Sequence, residues 1–345
     1  MLPKVGLPQS TMLVYQLYEN HLGPHGHSTW SLSPVAICLG DELEVSVNIG
    51  VIAPQGWKGE YDGWDPARAW ARTVAVAQQA ERLGFESVWL YDHFHTMPEP
   101  TDELTFESFT SLAALAALTC RVRLGHIVIC NGFRNPALVA KMISSLDVIS
   151  GGRMELGIGA GWKRDEWLAY GYGHAFPETR ERLAALGDAL EVISRMLAPG
   201  RFVRATYEGR YAGVEGAINV PKPLQQPRVP IMVGGNGPTM TWRLAARFAD
   251  ELNLDGLRPA ELVDALPTIH GRCEEVSRDP KSLALSVNIL SDRLGGAGSR
   301  RQDLLASYRE LGVSRVMTFV PDAADSDDAL EAFAEDCRSA GAELA

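Results

Sequence analysis

A closed parallel (β/α)8 barrel is the fold the sequence predicts, on three observations. From about residue 45 to the C-terminus, short β-rich apolar runs alternate with longer helical ones. Eight such pairs follow one another, with no stretch of strands alone or of helices alone. Helix starts and stops fall between them, as at Asp65-Pro66 and Gly84. An open doubly wound sheet is the alternative arrangement of the same units. A chain of 345 residues could hold one large domain or two ordinary ones, and the unbroken series favours one.

Residues 1–43 read as an N-terminal extension, poorly ordered and outside the barrel: sparse in charge, broken by Pro3, Pro8, Pro24 and Pro34, and without lasting periodicity. His21, His25 and His27 lie there without a carboxylate or thiol partner, a loop composition more than a metal site. The barrel, 44–345, opens with a strand at 45–53 and a helix from Asp65-Pro66 to Leu83. A strand at 87–91, a helix at 106–119, a strand at 122–130 and a proline-started helix at 136–149 come next. The fourth strand, 154–158, leads to a short helix at 164–170 and an insertion of about 171–225. Within it, 178–197 is amphipathic and 202–220 alternates as a hairpin does around Glu208-Gly209. Strands at 231–233, 251–254, 283–290 and 315–320, with helices at 239–248, 259–276, 300–311 and 326–339, complete the series.

With 46% hydrophobic and 22% charged residues, the composition is globular and rules out disorder, collagen or coiled coil for the whole chain. The net charge of −11 argues against a general nucleic-acid binder. Eight acids against one base from Pro321 onward place −7 of it in the last 25 residues, so the barrel is close to neutral. Five scattered cysteines form neither a disulfide framework nor a Cys-x-x-Cys zinc site. No apolar run is long enough to span a membrane and no secretory leader opens the chain, which suits a cytoplasmic protein.

In such a barrel the chemistry sits where strands run into helices. After the second strand, Asp92-His93 offers a histidine able to move a proton, with Asp92 placed to hold its tautomer; a hydrogen-bonded core histidine is the bland alternative, and His95 reads as an idle loop residue. After the third, Arg134 before Pro136 could meet an anion at a helix start or pair structurally with a carboxylate. Cys130, with no base in view, reads as a core thiol more than a nucleophile. After the fourth, Gly157-Ile-Gly159-Ala-Gly161-Trp162 is not a dinucleotide fingerprint. Its glycines let the backbone lie against a planar ring or turn sharply, while Asp165 and Glu166 read as a solvated helix start. After the fifth, Gly234-Gly235-Asn236-Gly237 opens into a helix and could cradle a phosphate or form a tight turn, and it lacks the Gly-Lys-Ser/Thr of a P-loop.

Together these residues resemble the bacterial-luciferase-like flavin and deazaflavin oxidoreductases. Ser87-Val-Trp-Leu-Tyr-Asp92-His93, Arg123-Leu-Gly125, Arg134-Asn135-Pro136-Ala137 and Ser150-Gly-Gly-Arg153 fall in the family's order, followed by Gly159-Ala-Gly161-Trp162, Tyr170-Gly171 and Gly234-Gly-Asn-Gly-Pro238. The match spans about 45–290, and the Arg153 and Trp162 forms look most like the F420-dependent subgroup. The resemblance implies a TIM barrel holding coenzyme F420, or alternatively FMN, at its C-terminal mouth. It implies His93 beside the reactive ring and a phosphate on Gly234, Gly235 and Gly237; Asp92 is read beside His93 as the second catalytic residue and Asn236 as a further cofactor contact. The resemblance also implies a non-proline cis peptide near Ile127-Val128, and the other cofactor contacts expected are Ile127, Val128, Cys130, Arg134, Gly159, Gly161 and Trp162. The family's sugar-phosphate dehydrogenases carry Trp four residues after the histidine and Glu where Trp162 stands. Here Met97 and Trp162 occupy those positions, which argues against that activity.

The leading expectation is an F420-dependent oxidoreductase that passes a hydride to or from a small organic substrate, the ring carrying the redox chemistry and the protein the positioning. A reduced-FMN two-component monooxygenase, served by a separate reductase, is the alternative, and a non-catalytic flavin-binding protein is a third. A homodimer is compatible with the resemblance, and no metal is expected.

Overall fold

The computed structural model describes residues 47–200, 203–289, 294 and 298–344 in full, together with the backbone of 11–20 and 29–38. The chain divides into two compact units, Met1–Val45 and Ser46–Ala345. In the first, β1 (Thr11–Asn20) pairs antiparallel with β2 (Thr29–Cys38), from Thr11 opposite Cys38 to Asn20 opposite Thr29. The sequence reading does not assign these two strands. His21, His25 and His27 lie outside the described residues.

The second unit is the barrel. Its elements are β3 (Asn48–Ile52), α1 (Pro66–Leu83), β4 (Ser87–Leu90), α2 (Ser108–Leu118), β5 (Arg123–His126), β6 (Ile129–Cys130), α3 (Pro136–Ile149), β7 (Met154–Gly159) and α4 (Arg164–Ala169). Between β7 and β10 stand α5 (Thr179–Leu197), which joins the main core, and the hairpin β8 (Arg204–Glu208) and β9 (Gly213–Ile218), all within the stretch read from sequence as an insertion. Then come β10 (Ile231–Gly234), α6 (Thr241–Phe248), β11 (Glu251–Asp255), α7 (Pro259–Glu274), β12 (Ala284–Asn288), α8 (Ser299–Glu310), β13 (Val313–Phe319) and α9 (Asp327–Ser339). The order β10-β11-β12-β13-β3-β4-β5-β7 closes through β7 on β10, with Met232 opposite Gly157, and every barrel pairing is parallel.

Local chemistry sets the element ends. Asp65 accepts from the Arg68 amide at the start of α1, and Gly84, at φ 88°, closes that helix with its N–H on Ala80 and Glu81 carbonyls. Asn135 caps α3 ahead of Pro136 in the same manner. Along β4 the side chains alternate: Val88 and Leu90 join the large core beneath the helices, while Trp89 and Tyr91 belong to the cluster inside the barrel with Ile52, Met232, Met317 and Phe319. The third strand departs from the expected single run. It breaks into β5 and β6 around a cis peptide between Ile127 and Val128, and β6 continues on β7 with Cys130 opposite Gly159.

Charged residues close the N-terminal end of the barrel. Arg315, buried at the start of β13, reaches Glu155 at 2.7 and 3.0 Å, Glu251 at 2.9 Å and Glu86 at 2.9 Å, and Arg123 also pairs with Glu155. Burial pushes the Glu155 carboxyl up, but the two guanidiniums outweigh it and hold it below the usual carboxylate range. Burial dominates at Glu251, where Arg315 only partly offsets it, and the carboxyl is raised to about 7.

Candidate functional site

The C-terminal ends of the strands open onto a cavity of about 730 Å³. That is within the roughly 300–1,000 Å³ typical of small-molecule sites. Its wall includes His93 after β4, Val128 and Cys130 on either side of the β6 start, Gly159, Gly161 and Trp162 after β7, and Gly234, Gly235 and Gly237 after β10. These residues, spread over 145 positions of sequence, meet because their strands are neighbours in the closed sheet.

His93 is buried, and its ring is held on three sides. Trp57, from the loop after β3, stacks on it at 4.1 Å between centroids with 3° between planes, and Trp162 meets it edge-on at 5.6 Å. The third contact fixes its chemistry: Nδ1 lies 2.8 Å from Oε2 of Glu166. Glu166 is fully buried, and its other oxygen accepts the Phe94 amide at 2.9 Å. A carboxylate so placed accepts from Nδ1–H, which leaves Nε2 as the ring nitrogen outside that bond.

This corrects two expectations. Asp92 does not orient His93, because its carboxylate is already filled by the Ser108 hydroxyl at 2.8 Å, the Cys130 amide at 2.9 Å and both terminal nitrogens of Arg134 at 2.8 and 2.9 Å. Burial raises the Asp92 carboxyl, but Arg134 outweighs it and holds Asp92 below the usual range. Arg134 is committed in turn: it also bonds Glu107 at 2.7 Å and lines a separate cavity of about 360 Å³ instead of the one at His93. The pair fixes the β4 end against β6 and leaves neither charge for a ligand. Glu166, read from sequence as a solvated helix start, holds the position foreseen for Asp92.

The glycines make room for one bulge. The cis peptide sets the Val128 side chain between β7 and β10, where a Cβ on Gly159 would come within 2.8 Å of Val128 and one on Gly234 within 2.9 Å. Gly161, at φ 79°, turns the chain hard against the Cys130 sulfur. The Cys130 thiol is pushed by burial up to about 12, so it stays protonated and packs as a core group.

At the far side of the mouth, the loop after β10 is only partly available. The Gly235 amide donates to the Asn253 carbonyl at 3.0 Å. Asn236 does not line the cavity: its side-chain amide donates to the Asp255 carbonyl at 2.7 Å and its oxygen accepts from the Asp255 amide at 3.0 Å, tying two strand-end loops together. Gly237 and Thr241, at the start of α6, do line it. So does Arg182 from α5, whose partners are neutral oxygens, the Gly161 carbonyl at 3.0 Å, the Thr179 hydroxyl at 3.3 Å and the Pro177 carbonyl.

Sequence reasoning missed Trp57, Glu166, Thr241 and Arg182. Trp57 follows the first strand, and the strand-end rule applied to that loop finds it. Arg153, by contrast, is a clamp: it donates to the carbonyls of Ala116, Thr119, Val122 and Ser150. Among the described residues, no group of three or more His, Cys, Asp or Glu could hold a metal, and no helix is long and apolar enough to cross a membrane.

The luciferase-like monooxygenase family model matches residues 49–332. An uncharacterised protein of Mycobacterium tuberculosis is 28% identical over 74% of this chain and 89% of its own. The F420-dependent glucose-6-phosphate dehydrogenase of Kineococcus radiotolerans is 38% identical over 56% of this chain, which spans about half (54%) of that relative. Among solved structures, an F420-dependent secondary alcohol dehydrogenase superposes with a TM-score of 0.70 at 18% identity, covering 84% of this chain and 98% of that one, a likeness of fold.

Proposed function

The chain belongs to the luciferase-like monooxygenase family and is an oxidoreductase, and from that premise we propose that it uses coenzyme F420 to move a hydride to or from an organic alcohol or carbonyl compound. The observation that carries the reading is His93: buried at the cavity wall, its Nδ1 engaged by Glu166, its Nε2 outside that bond.

The residues present fit a flat, phosphate-bearing coenzyme. Val128, set between Gly159 and Gly234, gives one wall a smooth convex contact for a planar ring. Gly237, Thr241 and the carboxylate-free Arg182 are where a phosphate would be held. When bound, the deazaflavin supplies a two-electron hydride acceptor or donor.

The protein's own part is proton handling and exclusion of water. Oxidation of an alcohol breaks C–H with its electron pair and O–H without, so the oxygen must give up a proton as the carbonyl forms. His93 Nε2 takes that proton, and Glu166 stabilises the resulting imidazolium through Nδ1–H. In the reverse direction His93 returns it. Trp57 and Trp162 shield the ring nitrogen from bulk water. Met97 and Trp162, where the sequence departs from the sugar-phosphate dehydrogenases, both line the cavity, with Lys58 beside Met97 and Lys163 beside Trp162.

Titration with F420 and with FMN, followed by fluorescence quenching, tests the reading. It expects saturable F420 binding well ahead of FMN; preference for FMN, with oxygen consumed in the presence of a reductase, would replace it with the monooxygenase alternative.

A further inference from the structure

Behind His93 the polar groups continue toward solvent in a line. Glu166 Oε2 holds His93 Nδ1 at 2.8 Å, and its Oε1, which accepts the Phe94 amide, lies 3.9 Å from Nδ1 of His95, whose hydrogen bond is to the Thr96 carbonyl at 3.2 Å. Nε2 of His95 is 3.6 Å from Oδ2 of Asp165, whose side chain is 42% exposed. Lys163 fixes Asp165 from the other side at 2.9 Å. The succession runs from the fully buried Glu166, through His95 at 13% exposure, to an open carboxylate.

We propose that Glu166, His95 and Asp165 form a proton relay that connects His93 with solvent behind the cavity wall. The inference rests on the assignment of His93 as the proton-transfer residue. The need is physical: each turnover leaves one proton on His93 or removes one, and a cavity filled by coenzyme and substrate closes the Nε2 side. The Nδ1 side remains. A proton arriving at Nε2 lets the Nδ1 proton pass to Glu166, from Glu166 to His95, and from the far nitrogen of His95 to Asp165. Only N–H and O–H bonds are made and broken, and the sum is one proton moved from His93 to Asp165. The steps of 3.9 and 3.6 Å exceed a direct hydrogen bond, and a rotation of the His95 ring that releases Nδ1 from the Thr96 carbonyl closes them. Charged groups facing the relay are Lys163 on Asp165 and, beyond the β4 end, the mutually neutralising Asp92–Arg134 pair, so no unopposed charge traps the proton along it.

Solvent exchange of the His93 Nδ1 proton, measured by saturation transfer on the ¹⁵N-histidine-labelled full chain, tests the relay without coenzyme or substrate. Asp165→Asn and His95→Gln are each expected to slow that exchange about tenfold or more while the His93 tautomer is kept. Asp165→Glu, or added imidazole in the Asp165→Asn protein, should restore it. Exchange within twofold of wild type in both variants overturns the relay, as does slowing that neither rescue reverses or that comes with a changed tautomer, since those mark a structural role. Wild-type F420 titration is read separately: its failure would sink the oxidoreductase reading while leaving the exchange result intact.

Discussion

The two ends of the barrel use charge in opposite ways. At the N-terminal end, Arg315 and Arg123 are packed directly against Glu86, Glu155 and Glu251, and the groups are consumed by one another. At the C-terminal mouth the charged groups are fewer and spread out, with Asp92 on Arg134, Glu166 on His93 and Asp165 on Lys163, and the cavity wall mixes aromatic rings, aliphatic side chains and glycine backbone with Lys58, Lys163 and Arg182. Buried ion pairs are costly to desolvate and costly to break, so the first arrangement suits a plug whose failure would open the barrel. The second holds one titratable ring in a set orientation beside an otherwise uncommitted space. Stability should therefore respond to the base, and chemistry to the mouth.

Four changes would break or sharpen that contrast. The largest effect is expected of His93→Ala, which removes the proton-transfer group: turnover with F420 should fall by about 10²–10⁴-fold, with a far smaller change in the F420 dissociation constant. A loss confined to affinity would make His93 a binding residue only. Arg315→Met removes the cation shared by the buried Glu155 and Glu251 and the half-buried Glu86, leaving Arg123 on Glu155, and should cost about 3–5 kcal/mol in urea unfolding, with F420 affinity preserved in the folded protein. Loss of binding without loss of stability would erase the distinction between the ends.

The third change concerns pH. Glu251 is raised in the folded protein from its ordinary 4.5 to about 7, so the folded state binds the extra proton between those values. Its contribution is complete below about 4.5 and is lost as pH rises toward and through 7. Glu251→Gln should flatten the fall in denaturation midpoint between pH 5 and pH 8, and an unchanged slope would place the titration elsewhere. The smallest effect is that of Gly161→Ala at the mouth. It forces a side chain into the left-handed region against Cys130, for about 1–3 kcal/mol of stability, and weakens F420 binding. An alanine tolerated without either cost would show that the turn adapts.

Much of the barrel was legible because its signals are local. Asp65-Pro66 and Asn135-Pro136 mark helix starts by satisfying the amides of the same turn, and the alternation along β4 sorts inner from outer faces within four residues. His93 was legible for a related reason, since it follows directly on a strand, and in a barrel every strand end points at the mouth. The partners of these residues were not. Glu166 sits in a helix start whose acids read the same whether solvated or buried, and only its packing against β4, 73 positions away, makes it the anchor of His93. Asp92 looked like that anchor by adjacency, yet in extended backbone neighbouring side chains point to opposite sides, and Arg134 claims it.

By itself, then, the sequence determined the order of the barrel's strands and helices, their caps and the strand-end residues from which a site could be built. Those properties depend on contacts within a few residues. The tertiary structure alone decided which charge meets which: Glu166 with His93, Arg134 with Asp92, and Arg315 with acids 64, 160 and 229 positions away. The reason is that burial and pairing belong to the closed sheet, which brings strand ends together irrespective of their separation along the chain, and a side chain's proton affinity follows from that company.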